Sequence, residues 1–177
     1  MVRLALAGLA MLALEGAASA ETDNGPALVD LFAKICAPRP ALPSEMERIA
    51  SGMGFVSTNG AISADMERGP RIDIIYFARS TKGGEKSLSA YFEGPVDGPT
   101  VVCTLSTVGV SADTLPGLIA KSLNAHDRTE KAVADNNRLQ VNWRAGEAGS
   151  DDTLEMSAWR DPQRRASITL TYRSLKR

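Results

Sequence analysis

The chain has few of the residues from which most active sites are built. Among 177 residues there is one histidine, His126, and there are two cysteines, Cys36 and Cys103. A structural zinc site takes about four cysteine or histidine ligands, so no metal is expected. A Ser-His-Asp or Cys-His enzyme would have to use His126. Asp127 adjoins it in sequence and so tends to point another way, and nothing else converges on it. The nucleophile elbow Gly-x-Ser-x-Gly is missing, because the nearest match, Gly109-Val110-Ser111-Ala112-Asp113, lacks the last glycine. The phosphate loop is missing too. Gly83-Gly84-Glu85-Lys86-Ser87 is too short, carries an acid beside its lysine and sits between two strand patterns. No cofactor is therefore expected.

An excess of charge is also absent. Lys and Arg number 20 and Asp and Glu 21, for a formal net charge of −1. Binding nucleic acid needs a basic excess to displace counterions, so no nucleic-acid partner is expected. The balance is uneven, with a basic end carrying Arg160, Arg164, Arg165, Arg173, Lys176 and Arg177. The plainest reading of that end is solvated strand faces and a turn. Beyond residue 20 there is no long apolar run. Spanning a bilayer takes ~20 such residues, so no span is expected in the mature chain.

What is present begins with residues 1–20. Arg3 supplies a positive start, Leu4 to Leu14 an apolar core, and Ala18-Ser19-Ala20 a small-x-small end. These are the three parts of a secretory signal, in order. The expected arrangement is a signal peptide over 1–20 and one soluble domain over 21–177, exported to a periplasm or secreted. An exported chain with two cysteines points to a disulfide. Cys36 continues the helical stripe Leu28, Leu31, Phe32, Ile35, and Cys103 alternates with Val101 and Leu105. Both side chains are thus aimed at a core where they can meet.

The mature chain reads as helices followed by strands, twice. A helix from about Pro26 to Cys36, capped by Asn24 or Gly25, ends at Pro38, Pro40 and Pro43. Ser44 to Glu47 reads as a capping box opening a second helix. Asn59-Gly60 between two short β-prone runs reads as a hairpin turn. Strands follow over 71–79, 87–93 and 100–107, then a helix carrying Leu115, Leu118, Ile119 and Leu123. The polar stretch from His126 to Asn137 fits either an extension of that helix or a loop with a short edge strand. Leu139, Val141 and Trp143, then Leu154, Met156 and Ala158, then Ile168, Leu170 and Tyr172 alternate with polar residues. Period two of this kind means one face buried and one wet. The expected fold is α+β: an antiparallel sheet of about six strands in two meanders, with helices packed on one face.

Function is carried by hypotheses. The leading one is a non-enzymatic exported module that binds a protein or a cell-envelope component. Its candidate surface is the outward Trp159 with Arg160 and Arg173 on the basic C-terminal strand. A second reading is a small hydrolase using His126 or a carboxylate pair such as Asp73 and Glu93. A third is a thiol redox role for Cys36 and Cys103, which lacks the Cys-x-x-Cys spacing.

Overall fold

A computed structural model of the chain describes residues 23–64, 72–81, 84–94, 99–132, 137–146 and 150–173. The expected signal segment, like Lys176 and Arg177, lies outside the described residues.

Helix α1 (Gly25–Ile35) buries Leu28, Val29, Phe32 and Ile35; of the expected stripe, Leu31 is only half-buried and Val29 is buried in addition. Its first turn is satisfied differently from expectation. Asn24 is the N-cap residue but makes no side-chain cap bond; its amide donates to the Val108 carbonyl instead. The Asp23 carboxylate accepts the Gly25 N–H at 2.9 Å. Helix α2 (Pro43–Gly52) starts one residue before the expected capping box. Pro43 fits the first helical position because its fixed φ is already helical and its missing N–H is not needed there. That shift makes Glu45, not Glu47, the acid that reaches back, and it accepts the Ala41 N–H at 3.0 Å. Helix α3 (Leu115–Ser122) buries Leu115, Pro116 and Ile119, with Thr114 at its N-cap.

Among the described residues the strands number eight, not about six. They are β1 (Val56–Ala64), β2 (Ile72–Thr81), β3 (Gly84–Glu93), β4 (Thr100–Thr107), β5 (Ala125–Ala132), β6 (Arg138–Ala145), β7 (Thr153–Trp159) and β8 (Ala166–Arg173). The two beyond the expected six are the edge strands β1 and β5. Asn59-Gly60 does not turn the chain. It lies inside β1, which pairs along β2 with register irregularities between Ser57 and Asn59 and between Asn59 and Ile62. A long partner strand rewards continued pairing, so the flexible Asn-Gly step is absorbed as a bulge rather than a hairpin. The ambiguous stretch after His126 forms β5 on the opposite edge of the sheet.

All pairings are antiparallel, and the order is β1-β2-β3-β4-β8-β7-β6-β5. Two four-stranded meanders, each preceded by helix, thus meet at their last strands, β4 and β8. Chain order reverses across that seam, so the halves are related in topology by a two-fold normal to the sheet. No residue-level repeat accompanies it.

One face of the sheet carries the core. On β4 and β8 the side chains alternate strictly, with Val101, Cys103, Leu105, Ile168, Leu170 and Tyr172 buried. They join the buried stripes of the three helices in one cluster. A fully buried Leu, Ile or Phe contributes ~1.5–3 kcal/mol, so this face dominates the folding energy. Across it the Cys36–Cys103 disulfide, with Cα atoms 5.8 Å apart, bolts the end of α1 to the centre of β4. Both cysteines are fully buried.

The proline-rich link between α1 and α2 is tied to the second meander. Arg39 adopts a left-handed φ of 59°, and its guanidinium pairs with the Asp152 carboxylate. Glycine suits position 146 because its φ of +92° is a conformation that L side chains rarely adopt. Next to this pair, the Tyr172 hydroxyl donates to the Pro40 carbonyl at 2.7 Å. Burial pushes the Tyr172 phenol well above its usual value, helped by the nearby Glu45 carboxylate.

Among the described residues no helix is long and apolar enough to cross a membrane.

Candidate functional site

The face opposite the helices has no described element packed over it. Its side chains are the alternate positions of the same strands, and the pairing registers place them in rows. One row runs Ser87, Ser106, Ser167, Ser157, Gln140 across β3, β4, β8, β7 and β6. The next runs Tyr76, Ser89, Thr104, Thr169, Glu155, Asn142. Small hydroxyl side chains therefore pave the middle of the sheet. They bond to one another across the strands: Ser87 Oγ and Ser106 Oγ lie 2.7 Å apart, Thr104 and Thr169 Oγ1 3.0 Å. Pairs of this kind add a few tenths of a kcal/mol each and supply neutral polar groups to this face.

Larger groups stand at the ends of this paving. Tyr76 and Tyr91 meet edge to face with hydroxyls 3.2 Å apart. That hydrogen bond, with some burial, raises the Tyr91 phenol above its usual value. Beside Tyr76 a cleft of about 260 Å³ over β1 to β4 is lined by Thr58, Tyr76, Ser87, Ser89, Thr104 and Ser106.

At the end where β7 finishes, Trp159 lies on the open face, directly across from Arg138 on β6. The Arg138 guanidinium carbon sits 5.8 Å from the indole centroid and that of Arg164 4.2 Å. Two cations share one ring. Arg138 Nε donates to Ser157 Oγ at 2.6 Å, which fixes the plane of its guanidinium. Arg165 continues the group, donating to Ser87 Oγ at 2.8 Å and pairing with Glu85 at 3.1 Å.

The sequence-predicted residues separate. Trp159 is on the open face, half-buried under its arginines. Arg173 is on the same face but at the other end of β8. The register that sets Ser157 beside Ser167 puts Arg173 roughly 27 Å along the sheet from Trp159, at ~3.4 Å per residue. Arg160 turns off the end of β7, where its backbone N–H meets the Asn137 carbonyl, and it lines a different cleft of about 220 Å³ with Asp23, Gly109, Ser111 and Pro162. The arginines that do meet Trp159, Arg138 and Arg164, were not singled out. The β6–β7 register was the missing signal for Arg138, and the fold of the turn over 160–165 for Arg164.

The candidate chemical groups also separate. His126 is on the open side of edge strand β5, opposite Arg144, and its imidazole forms no hydrogen bond with a described residue. Asp73 pairs with Phe92 on the helix-facing side, while Glu93 pairs with Ile72. Adjacent positions on a strand face opposite ways, so these two carboxylates are on opposite faces of the sheet. Asp152 is engaged with Arg39. Among the described residues no group of three or more His, Cys, Asp or Glu is arranged to hold a metal. No protein-family model, no curated protein and no solved structure matches this chain.

Proposed function

We propose that the protein is an exported, non-enzymatic binding module whose contact surface is the open face of the sheet, centred on Trp159. The observation that carries this reading is the contrast between the two faces. One is closed by three helices and a disulfide, while the other presents a paved polar surface ending in an aromatic ring with stacked arginines. A rigid, antiparallel scaffold holds that surface without needing the ligand to order it, which lowers the entropy cost of binding. Trp and Arg are the residues over-represented where interfaces concentrate their energy. The partner is a protein or a component of the cell envelope. Export is part of the proposal: it rests on the three-part leader of residues 1–20, and the buried disulfide suits an oxidising compartment.

The test is capture of envelope components on the immobilised mature chain and on variants of it. Trp159→Ala is expected to lose the specific partner. Arg173→Ala, at the far end of the same face, is expected to weaken its capture. Arg48→Ala, exposed on α2, is expected to leave it intact. Equal recovery of every component on all three variants would show that the open face is not the contact surface.

A further inference from the structure

Among the described residues, the corner around Trp159 gathers three arginines and one ion pair. Arg165 is matched by Glu85. Arg138 and Arg164 form no ion pair with any described carboxylate, and the Arg164 guanidinium forms no hydrogen bond with a described residue. The other acids nearby are committed or remote. Asp161 Oδ1 accepts the Gln163 N–H at 3.0 Å. Glu155 lies four residues back along β7, ~13 Å away. Both guanidinium carbons lie over the indole, and apart from Arg138 Nε, which donates to Ser157, the guanidinium N–H groups bond to no described residue. The two carbons lie within 5.8 Å of the same indole centroid, so the two cations are held within about 10 Å of each other. The Ser157 hydroxyl beside Arg138 adds a neutral donor.

We propose that this corner is a phosphate-binding site, with Arg138 and Arg164 as its ligands and Trp159 as the platform that pre-orients them. This rests on the open face being the binding surface and names the chemistry one end of it takes. Two unmatched guanidiniums fit a phosphate monoester, which carries a charge of about −1.5 to −2 at neutral pH and several acceptor oxygens. A single carboxylate would leave one of them unneutralised. The phosphate arrives either free or esterified on a larger molecule.

The experiment is a titration of the isotope-labelled mature chain, at constant ionic strength, with inorganic phosphate, with glycerol phosphate and with acetate. The readout is the indole N–H resonance of Trp159, with that of buried Trp143 as internal reference. Phosphate is expected to shift the Trp159 signal saturably and to leave Trp143 in place. Arg164→Ala and Arg138→Gln should each weaken binding about tenfold, the worth of one charge-assisted hydrogen bond. Arg173→Ala should not. Tighter binding of glycerol phosphate would identify an esterified ligand, and tighter binding of inorganic phosphate a free one. No saturable shift with either phosphate, equal binding of acetate, or equal loss in Arg164→Ala and Arg173→Ala would each overturn the proposal. If phosphate fails while Trp159→Ala still abolishes capture of the partner, the anion site falls and the binding face stands.

Discussion

The two meanders share a topology and differ in what covers them. In the first, α2 packs on β1, β2 and β3, and α1 reaches β4 and is bolted there by the disulfide. In the second, α3 has eight residues and reaches β5. The rest of its cover is borrowed from the first half. α1 leans on α3, and the α1–α2 link sends Arg39 to Asp152 and Pro40 to Tyr172. The thinner cover leaves an apolar-walled cleft of about 200 Å³ between Phe32, Leu123, Ala145, Leu154 and Leu170, with Arg39 at its edge. A topological repeat therefore does not imply two independent halves. The second meander needs the first half's helix and linker to bury its core face, so the domain is expected to unfold as one unit.

The open faces differ in the same way. The first half contributes Tyr76, Tyr91 and hydroxyls, and the second Trp159 with its arginines. A shared backbone supports two surface chemistries because side chains on the open face are free of packing constraints.

The largest break in the comparison is expected from the disulfide. Cys36→Ala with Cys103→Ala should lower stability by roughly 4 kcal/mol in the chain-entropy account, read from the urea midpoint. A loss of only about 1 kcal/mol would mean that packing alone holds α1 on β4.

The polar tie to the second half comes next, and its two ends are unequal. The Asp152 side chain is 9% exposed and that of Arg39 41%. Arg39→Ala strands a buried carboxylate and should cost about 3 kcal/mol. Asp152→Ala leaves a guanidinium that water can reach, and should cost about 1–2 kcal/mol. The reverse order in thermal or urea melts would mean that this pair does not secure the second meander. Tyr172→Phe, which removes the donor to Pro40, should cost about 1 kcal/mol by the same measurement.

Asp23 offers a pH-dependent test. Partial burial raises its carboxyl, but hydrogen bonds from the Gly25 and Ser111 N–H groups and the Thr114 hydroxyl outweigh this and hold it below its usual value of 3.8. The folded state thus binds this proton less readily than the unfolded chain. The stabilisation is complete above the usual carboxylate value and is lost as pH falls through the lower folded one. Asp23→Asn should cost about 0.5–1 kcal/mol at neutral pH, with the gap closing as pH falls below the usual carboxylate value. A gap that stays constant over that range would assign the loss to shape rather than charge.

The smallest effect on stability is expected at Trp159. Its stack is exposed to solvent, so Trp159→Ala should change the urea midpoint by no more than about 0.5–1 kcal/mol while removing partner capture. A large loss of stability would move Trp159 from the surface to the framework.

The sequence by itself determined the class, the helix stripes and the cysteine pair. Strict alternation along Val101–Leu105 and Ile168–Tyr172 needs only a period of two to be read. The position of Cys36 on the α1 stripe follows from 3.6 residues per turn. It also assigned Trp159 to the outward set, by parity with Glu155 and Ser157. What it left open were matters decided at a distance. The strand count turned on whether residues 56–64 and 125–132 would join the sheet as its edges, which pairing with β2 and β6 decided. The cap of α1 turned on Asp23, whose other partners, Ser111 and Thr114, lie 88 and 91 residues away. The serine row and the Arg138–Trp159–Arg164 stack exist only once strands are ordered and registered. A one-residue slip would send every side chain of a strand to the other face. Local periodicity tells which way a side chain points; only the tertiary structure decides what stands beside it, because neighbours across a sheet are chosen by register and not by sequence distance.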